Sequence, residues 1–175
     1  MRMPYWASLV AAGLLAAAPA DQIALPSGGS VSSSTVGSKT RLEIRAKNGS
    51  RLALSVERDS MVASKAFAKV KVIGEIPDKT LILTDTYPSI PLGMSYCQAG
   101  EEQFLRIITL AKGQARETLH LKLASCRENI ELADPGLVWN GDSATLQVHW
   151  LEGPTNKGKP EDRTIHIGSD GAPAP

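Results

Sequence analysis

"RLEIRAKNGSRLALSVE", residues 41–57, decides the fold class. Leu42, Ile44 and Ala46 alternate with Arg41, Glu43 and Arg45, and Leu52, Leu54 and Val56 alternate in the same way after the turn. A period of two is the pleat of a strand with one buried face. Asn48-Gly49 between the two runs is a hairpin signal, and its register can be argued. A two-residue loop at 48–49 would set Leu42 opposite Ser55 and send the two apolar rows to opposite faces. A three-residue loop, 47–49 with Gly49 in the left-handed conformation, pairs Leu42 with Leu54 and Ile44 with Leu52. Only the second buries both rows together, so it is the expected register. Asn48-Gly49-Ser50 is also a glycosylation sequon, which the turn explains sufficiently.

The same period recurs along the chain. "KAFAKVKVI" (65–73) alternates Ala66, Ala68, Val70 and Val72 with Lys65, Lys69 and Lys71, although from Ser60 a helical period fits as well. The lysine row reads as the guard of an exposed strand. "TLILT" (80–84), "FLRIITLA" (104–111), "ETLHLKLA" (117–124), "NIELA" (129–133), "LVW" (137–139) and "ATLQVHWL" (144–151) follow. Trp139 and Trp150 flank the last hairpin and read as packing residues. Segments of this kind, divided by turn signals, predict an all-β chain: a single-domain antiparallel β-sandwich or partly closed barrel of about eight short strands. In 104–111, Phe104, Ile108 and Leu110 occupy one face and Leu105 and Ile107 the other, so this strand should be central. Glu101, Glu102 and Lys112-Gly113 would also suit a helix there, but consecutive Ile107, Ile108 and Thr109 favour a strand.

The N-terminus carries Arg2, an apolar run from Trp6 to Ala17 and Ala18-Pro19-Ala20, the pattern of a cleaved signal peptide with Asp21 as first mature residue. Residues 21–38 read as a flexible Ser/Gly-rich leader, 39–152 as the β-sandwich domain, and 153–175 as a mostly flexible tail with an edge strand at 163–167. No other stretch is long and apolar enough for a transmembrane helix. The expected location is therefore periplasmic or extracellular. With 19 basic and 18 acidic residues the chain has no global field to draw in nucleic acid. Cys97 and Cys126 are the only cysteines, and an oxidising compartment favours one disulfide between them. Closing that loop of about 29 residues would contribute roughly 3.5 kcal/mol by chain entropy.

Catalytic and metal signatures are missing from the chain: no G-x-S-x-G, S-x-x-K, H-E-x-x-H or P-loop occurs. No cofactor is implied. His120, His149 and His166 each stand opposite the apolar row of a strand, and nothing in their spacing makes them converge on a metal. Glu101 and Glu102 are adjacent on a strand and point to opposite faces, so they cannot flank one scissile bond. The remaining candidate is residues 85–102, "DTYPSIPLGMSYCQAGEE", a long segment without strand period. Tyr87, Ile90, Leu92, Met94 and Tyr96 would form a recognition surface pinned by Cys97, with Glu101 and Glu102 as its solvated rim. The alternative is a loop folded over the sheet as a core plug. The function this predicts is an exported module that binds another exported or envelope protein, as an inhibitor or immunity-type protector. A structural or assembly component of the envelope, or a hydrolase without local motif, are the competing classes.

Overall fold

The computed structural model describes residues 22–60, 62, 68–90, 100–156 and 158–174. The signal-type segment 1–20 and the candidates Leu92, Met94, Tyr96 and Cys97 lie outside the described residues. Eleven strands are present: β1 (Gln22–Ala24), β2 (Ser30–Val36), β3 (Lys39–Arg45), β4 (Arg51–Glu57), β5 (Lys69–Ile76), β6 (Thr80–Pro88), β7 (Glu101–Ala111), β8 (Gln114–Ser125), β9 (Glu131–Asn140), β10 (Thr145–Glu152) and β11 (Glu161–His166). They form three sheets in the orders β1-β2-β3-β4, β5-β6-β7-β8 and β11-β10-β9. All of the strand pairings are antiparallel. No helix occurs among the described residues.

The first hairpin has the three-residue register. Leu42 pairs with Leu54 and Ile44 with Leu52. Gly49 holds φ at +83°, and the Ala46 N–H donates to the Ser50 carbonyl at 3.0 Å. Both apolar rows consequently face one core, where Leu42, Ile44 and Val56 are buried with Leu52 and Leu54 against them.

The middle sheet sits between the other two. On β6, Leu81 and Leu83 pack with the first sheet's Val31, Leu42, Ile44 and Val56. Ile82, of opposite parity, packs with Leu146, Val148, Trp150 and Ile165 of the third sheet. β7 behaves alike: Ile108 faces the first sheet, and Leu105 and Ile107 face the third. The segment 101–111 is thus an inner strand covered on both sides, as its two-faced apolar pattern required. Trp150 also donates its indole N–H to the Leu123 carbonyl at 2.9 Å, so its polar atom is satisfied inside the core. Trp139 closes the third sheet over β5, where only a glycine fits: a Cβ on Gly74 would stand 2.4 Å from the Trp139 ring.

Several expectations are corrected. Eleven strands replace about eight, in three sheets that close no barrel among the described residues. Residues 21–38 are not a flexible leader, because β1 and β2 extend the first sheet and Val31 is fully buried. "SVSSSTV" shows only two apolar residues, and its stability comes from pairing along all of β3 rather than from its own pattern. The C-terminal stretch is not a loose tail either. β11 pairs with β10 over its whole length, Ile165 and Ile167 enter the core, and the Gly171 carbonyl accepts from the Thr80 and Thr109 hydroxyls at 2.8 and 3.0 Å. The folded unit therefore extends beyond 39–152 at both ends. The runs 129–133 and 137–139 join into one edge strand, β9, that accommodates Pro135. Strand β5 begins at Lys69, and most of 60–67 lies outside the described residues.

Gly49→Val is expected to lower stability by about 1 kcal/mol or more, because a β-branched residue resists positive φ. The side chain itself meets nothing within 4 Å, so the loss is purely backbone. Gly49→Asn, which tolerates that conformation, should cost distinctly less in the same urea unfolding series.

Candidate functional site

The candidate segment 85–102 overlaps the end of β6 (through Pro88) and the start of β7 (from Glu101). Tyr87 pairs with Glu102 and Pro88 with Glu101, the last rungs of that ladder. Beyond them the Ser89 N–H donates to the Gly100 carbonyl at 2.9 Å, closing the base. Ser89 Oγ donates to Glu102 Oε1 at 2.6 Å, Val62 bridges to Ser89, and the Arg127 guanidinium donates to the Ile90 carbonyl. Cys126 follows β8 directly, next to Arg127. No free cysteine occurs among the described residues. Both entry points of the segment are therefore anchored to the sheet.

Its expected members divide. Ile90 is half-buried at the base, and Glu101 is exposed and paired with Lys69 Nζ at 3.0 Å. Glu102 and Tyr87 are both fully buried, against the expectation of a solvated rim and an exposed aromatic. The reason is extent: β6 runs through Pro88 and β7 starts at Glu101, so these residues belong to strands rather than to a loop. Alternation then decides their fate, putting Glu101 outside and Glu102 inside. Tyr87 is core, packed with Phe104 and Val62.

Tyr87 belongs to a buried polar chain that was not expected from the sequence. Arg58 Nε donates to Thr40 Oγ1 at 3.0 Å, Thr40 Oγ1 lies 2.7 Å from the Tyr87 hydroxyl, and that hydroxyl donates to Asp85 Oδ2 at 2.5 Å. Arg106 Nε reaches the same carboxylate oxygen at 2.8 Å, with Arg106 and Asp85 side chains only 0% and 1% exposed. The other guanidinium nitrogens donate to Glu117 Oε1 at 2.6 Å and to the Glu57 carbonyl at 2.9 Å. One cation thus ties four strands of two sheets together, β4 of the first and β6, β7 and β8 of the middle one. A signal for it existed in "LILTD" and "FLRII": Asp85 and Arg106 occupy the parity of apolar rows, Leu81-Leu83 and Phe104-Ile108.

The electrostatics follow from this packing. Burial raises the Tyr87 phenol well above its ordinary 10.0, and the neighbouring Asp85 charge adds to the effect. Burial would depress Arg106, but Asp85 and Glu117 outweigh it and hold the cation more firmly than usual. His120, cross-strand from Arg106 and 5.1 Å from the Phe104 ring, has a lowered pKa through desolvation and then the Arg106 charge. Lys122 is raised despite desolvation, because it hydrogen-bonds Glu128 and Asp59.

What this cluster can do chemically is limited by access. With Arg106 and Asp85 closed to solvent, no substrate reaches the ion pair, and the network acts as a tie between layers. The three histidines occupy separate environments: His120 against Phe104, His149 bonded to Asp162 at 2.7 Å, and His166 near Thr145 at 3.4 Å. No group of three His, Cys, Asp or Glu side chains among the described residues is arranged to hold a metal ion.

Tyr87→Ala should therefore cost about 3–5 kcal/mol of stability, as for a buried aromatic, and Tyr87→Phe about 1–2 kcal/mol, because it removes the hydroxyl's bonds while Asp85 keeps Arg106 and Thr40 keeps Arg58. Arg106→Leu leaves Asp85 buried without its cation and should cost about 3–5 kcal/mol. Denaturant midpoints of the three variants check this ordering.

A lowered His120 pKa means that the unfolded chain binds its proton more tightly than the folded one. Its contribution is present above the ordinary 6.5 and is lost as pH falls through the folded value. His120→Gln should flatten the fall in melting temperature as pH drops below 6.5, and an NMR titration should place the wild-type imidazole below 6.5.

No family model, curated protein or solved structure matches this chain.

Proposed function

We propose that this is an exported module that binds another envelope or secreted protein, as an inhibitor or immunity-type protector, through the surface flanked by Ile90 and Glu101. The observation that carries the reading is the anchored base: Ser89 to Gly100, Ser89 to Glu102 and Arg127 to Ile90 fix both entry points before any partner arrives. A segment held at both ends loses less entropy on binding than a free one. Pairing of Cys97 with Cys126, the one other cysteine in the chain, belongs to the same proposal and adds a third anchor. Leu92, Met94 and Tyr96 enter on their side-chain chemistry alone, as the aromatic and aliphatic anchors that such surfaces use. Tyr87 and Glu102 are buried and are not part of the proposed surface. Export rests on the signal pattern of residues 1–20 and on the cysteine usage.

Affinity capture from the envelope, with matched melting curves, tests the reading. Leu92→Ala and Tyr96→Ala should each weaken capture at least about tenfold and leave the melting temperature within about 2 °C. The Cys97→Ser, Cys126→Ser pair should lower both affinity and stability. A large loss of stability in the two single variants, with binding per folded molecule unchanged, would make the segment a plug and defeat the proposal.

A further inference from the structure

The outer face of the first sheet carries charge that its own fold does not use. Its outward row on β3 is Arg41, Glu43 and Arg45, flanked by Ser30, Ser32 and Ser34 on β2 and by Arg51, Ala53 and Ser55 on β4. Long side chains beside short ones leave a trough of about 450 Å³, lined by Gln22, Ser30, Ser32 and the arginines 41, 45 and 51. A second hollow of about 520 Å³ shares Gln22, Ser30 and Arg45 and runs on to Lys47. Within the trough the one acid, Glu43, is engaged by Arg41 Nε at 3.2 Å. Arg45 and Arg51, by contrast, stand directly opposite each other across the hairpin, and neither has an anionic partner among the described residues.

Two like charges placed directly opposite on adjacent strands oppose sheet formation. Nothing in the packing needs them there, because the inward rows alone build the core beneath. An arrangement that works against the hairpin and is not neutralised from within is suited to an anion from without. Guanidinium pairs grip phosphate and sulfate with parallel N–H···O bonds. The remaining lining sets the amide and hydroxyls of Gln22, Ser30 and Ser32 beside the apolar Ile44, Leu52 and Ala53, with Gln22 Nε2 donating to Ser30 Oγ at 2.6 Å, and this mixture of polar groups and carbon suits a sugar-like body, which carries both. The volume is that of a small-molecule site and exceeds what a bare oxyanion fills.

We propose that this face is a binding site for the phosphate or sulfate ester of a sugar-sized molecule, with Arg45 and Arg51 holding the ester group and Gln22, Ser30 and Ser32 facing the sugar hydroxyls. The site is independent of the protein-binding surface at Ile90 and Glu101 and stands or falls separately. Because the whole chain is close to neutral, the attraction is local to this trough.

The test is calorimetric titration of the full chain with glucose 6-phosphate, glucose 6-sulfate and glucose at low salt. At least one ester should bind, and glucose should bind at least about tenfold more weakly; whether phosphate or sulfate is preferred distinguishes the two sources. Arg45→Gln and Arg51→Gln should each weaken the ester at least about tenfold, while Arg116→Gln on β8 leaves it unchanged. The melting temperature of both trough variants should hold or rise, since each relieves the like-charge pair. Absence of binding by either ester, equal weakening by Arg116→Gln, or a fall in melting temperature in the Arg45 and Arg51 variants would overturn the proposal.

Discussion

β6 and β7 carry apolar side chains on both faces, and a sheet of that kind has to be covered twice. Leu81, Leu83 and Ile108 require one layer, and Ile82, Leu105 and Ile107 require another. The first and third sheets meet those requirements from their inner rows, and their outer faces are mainly polar apart from the exposed Val36 on the first and Val138 and Leu151 on the third. Strands that look dispensable in isolation become necessary under this constraint. β2 supplies Val31 to one cover, and β11 supplies Ile165 to the other.

Within that stack, the Arg106–Asp85 pair is a second organising element. It lies between the middle and first sheets and is completed by Glu117, the Glu57 carbonyl, Tyr87 and, through Thr40, Arg58. A buried ion pair contributes little net stability compared with apolar residues of the same shape. Its directional bonds nonetheless discriminate between registers that hydrophobic contact alone leaves nearly equal. Sliding β7 by one residue would strand a cation and a carboxylate together. The pair thus fixes how the first sheet lies on the middle one.

The two proposed surfaces draw on different physics. Around Ile90 and Glu101 the argument is pre-organisation: backbone and side-chain bonds hold a base in place, and aromatic and aliphatic residues from the sequence furnish contact. On the outer face of the first sheet the argument is unspent charge, where Arg45 and Arg51 oppose one another above a floor of short polar residues. One surface suits a protein and the other a small anion. They lie on different elements, so the fold can carry both.

Much of the local structure was legible in the chain. The alternation of 41–57 settled both strands and, through the requirement that Leu42 and Leu54 share a face, the bulged turn at Gly49. The double-sided pattern of 104–111 placed β7 at the centre. These features depend on neighbours in sequence, whose spacing is visible directly. Tertiary structure decided the rest. That "SVSSSTV" is a strand follows from β3 lying beside it, and that Tyr87 is core follows from Thr40, Asp85 and Phe104 meeting around it. Arg45 and Arg51 line a trough, and so enter the proposed site, only because residues of β1 and β2 fold beside them. Periodicity reports which face a side chain takes, but what covers that face comes from distant segments, and burial of a polar group is settled by its partners there.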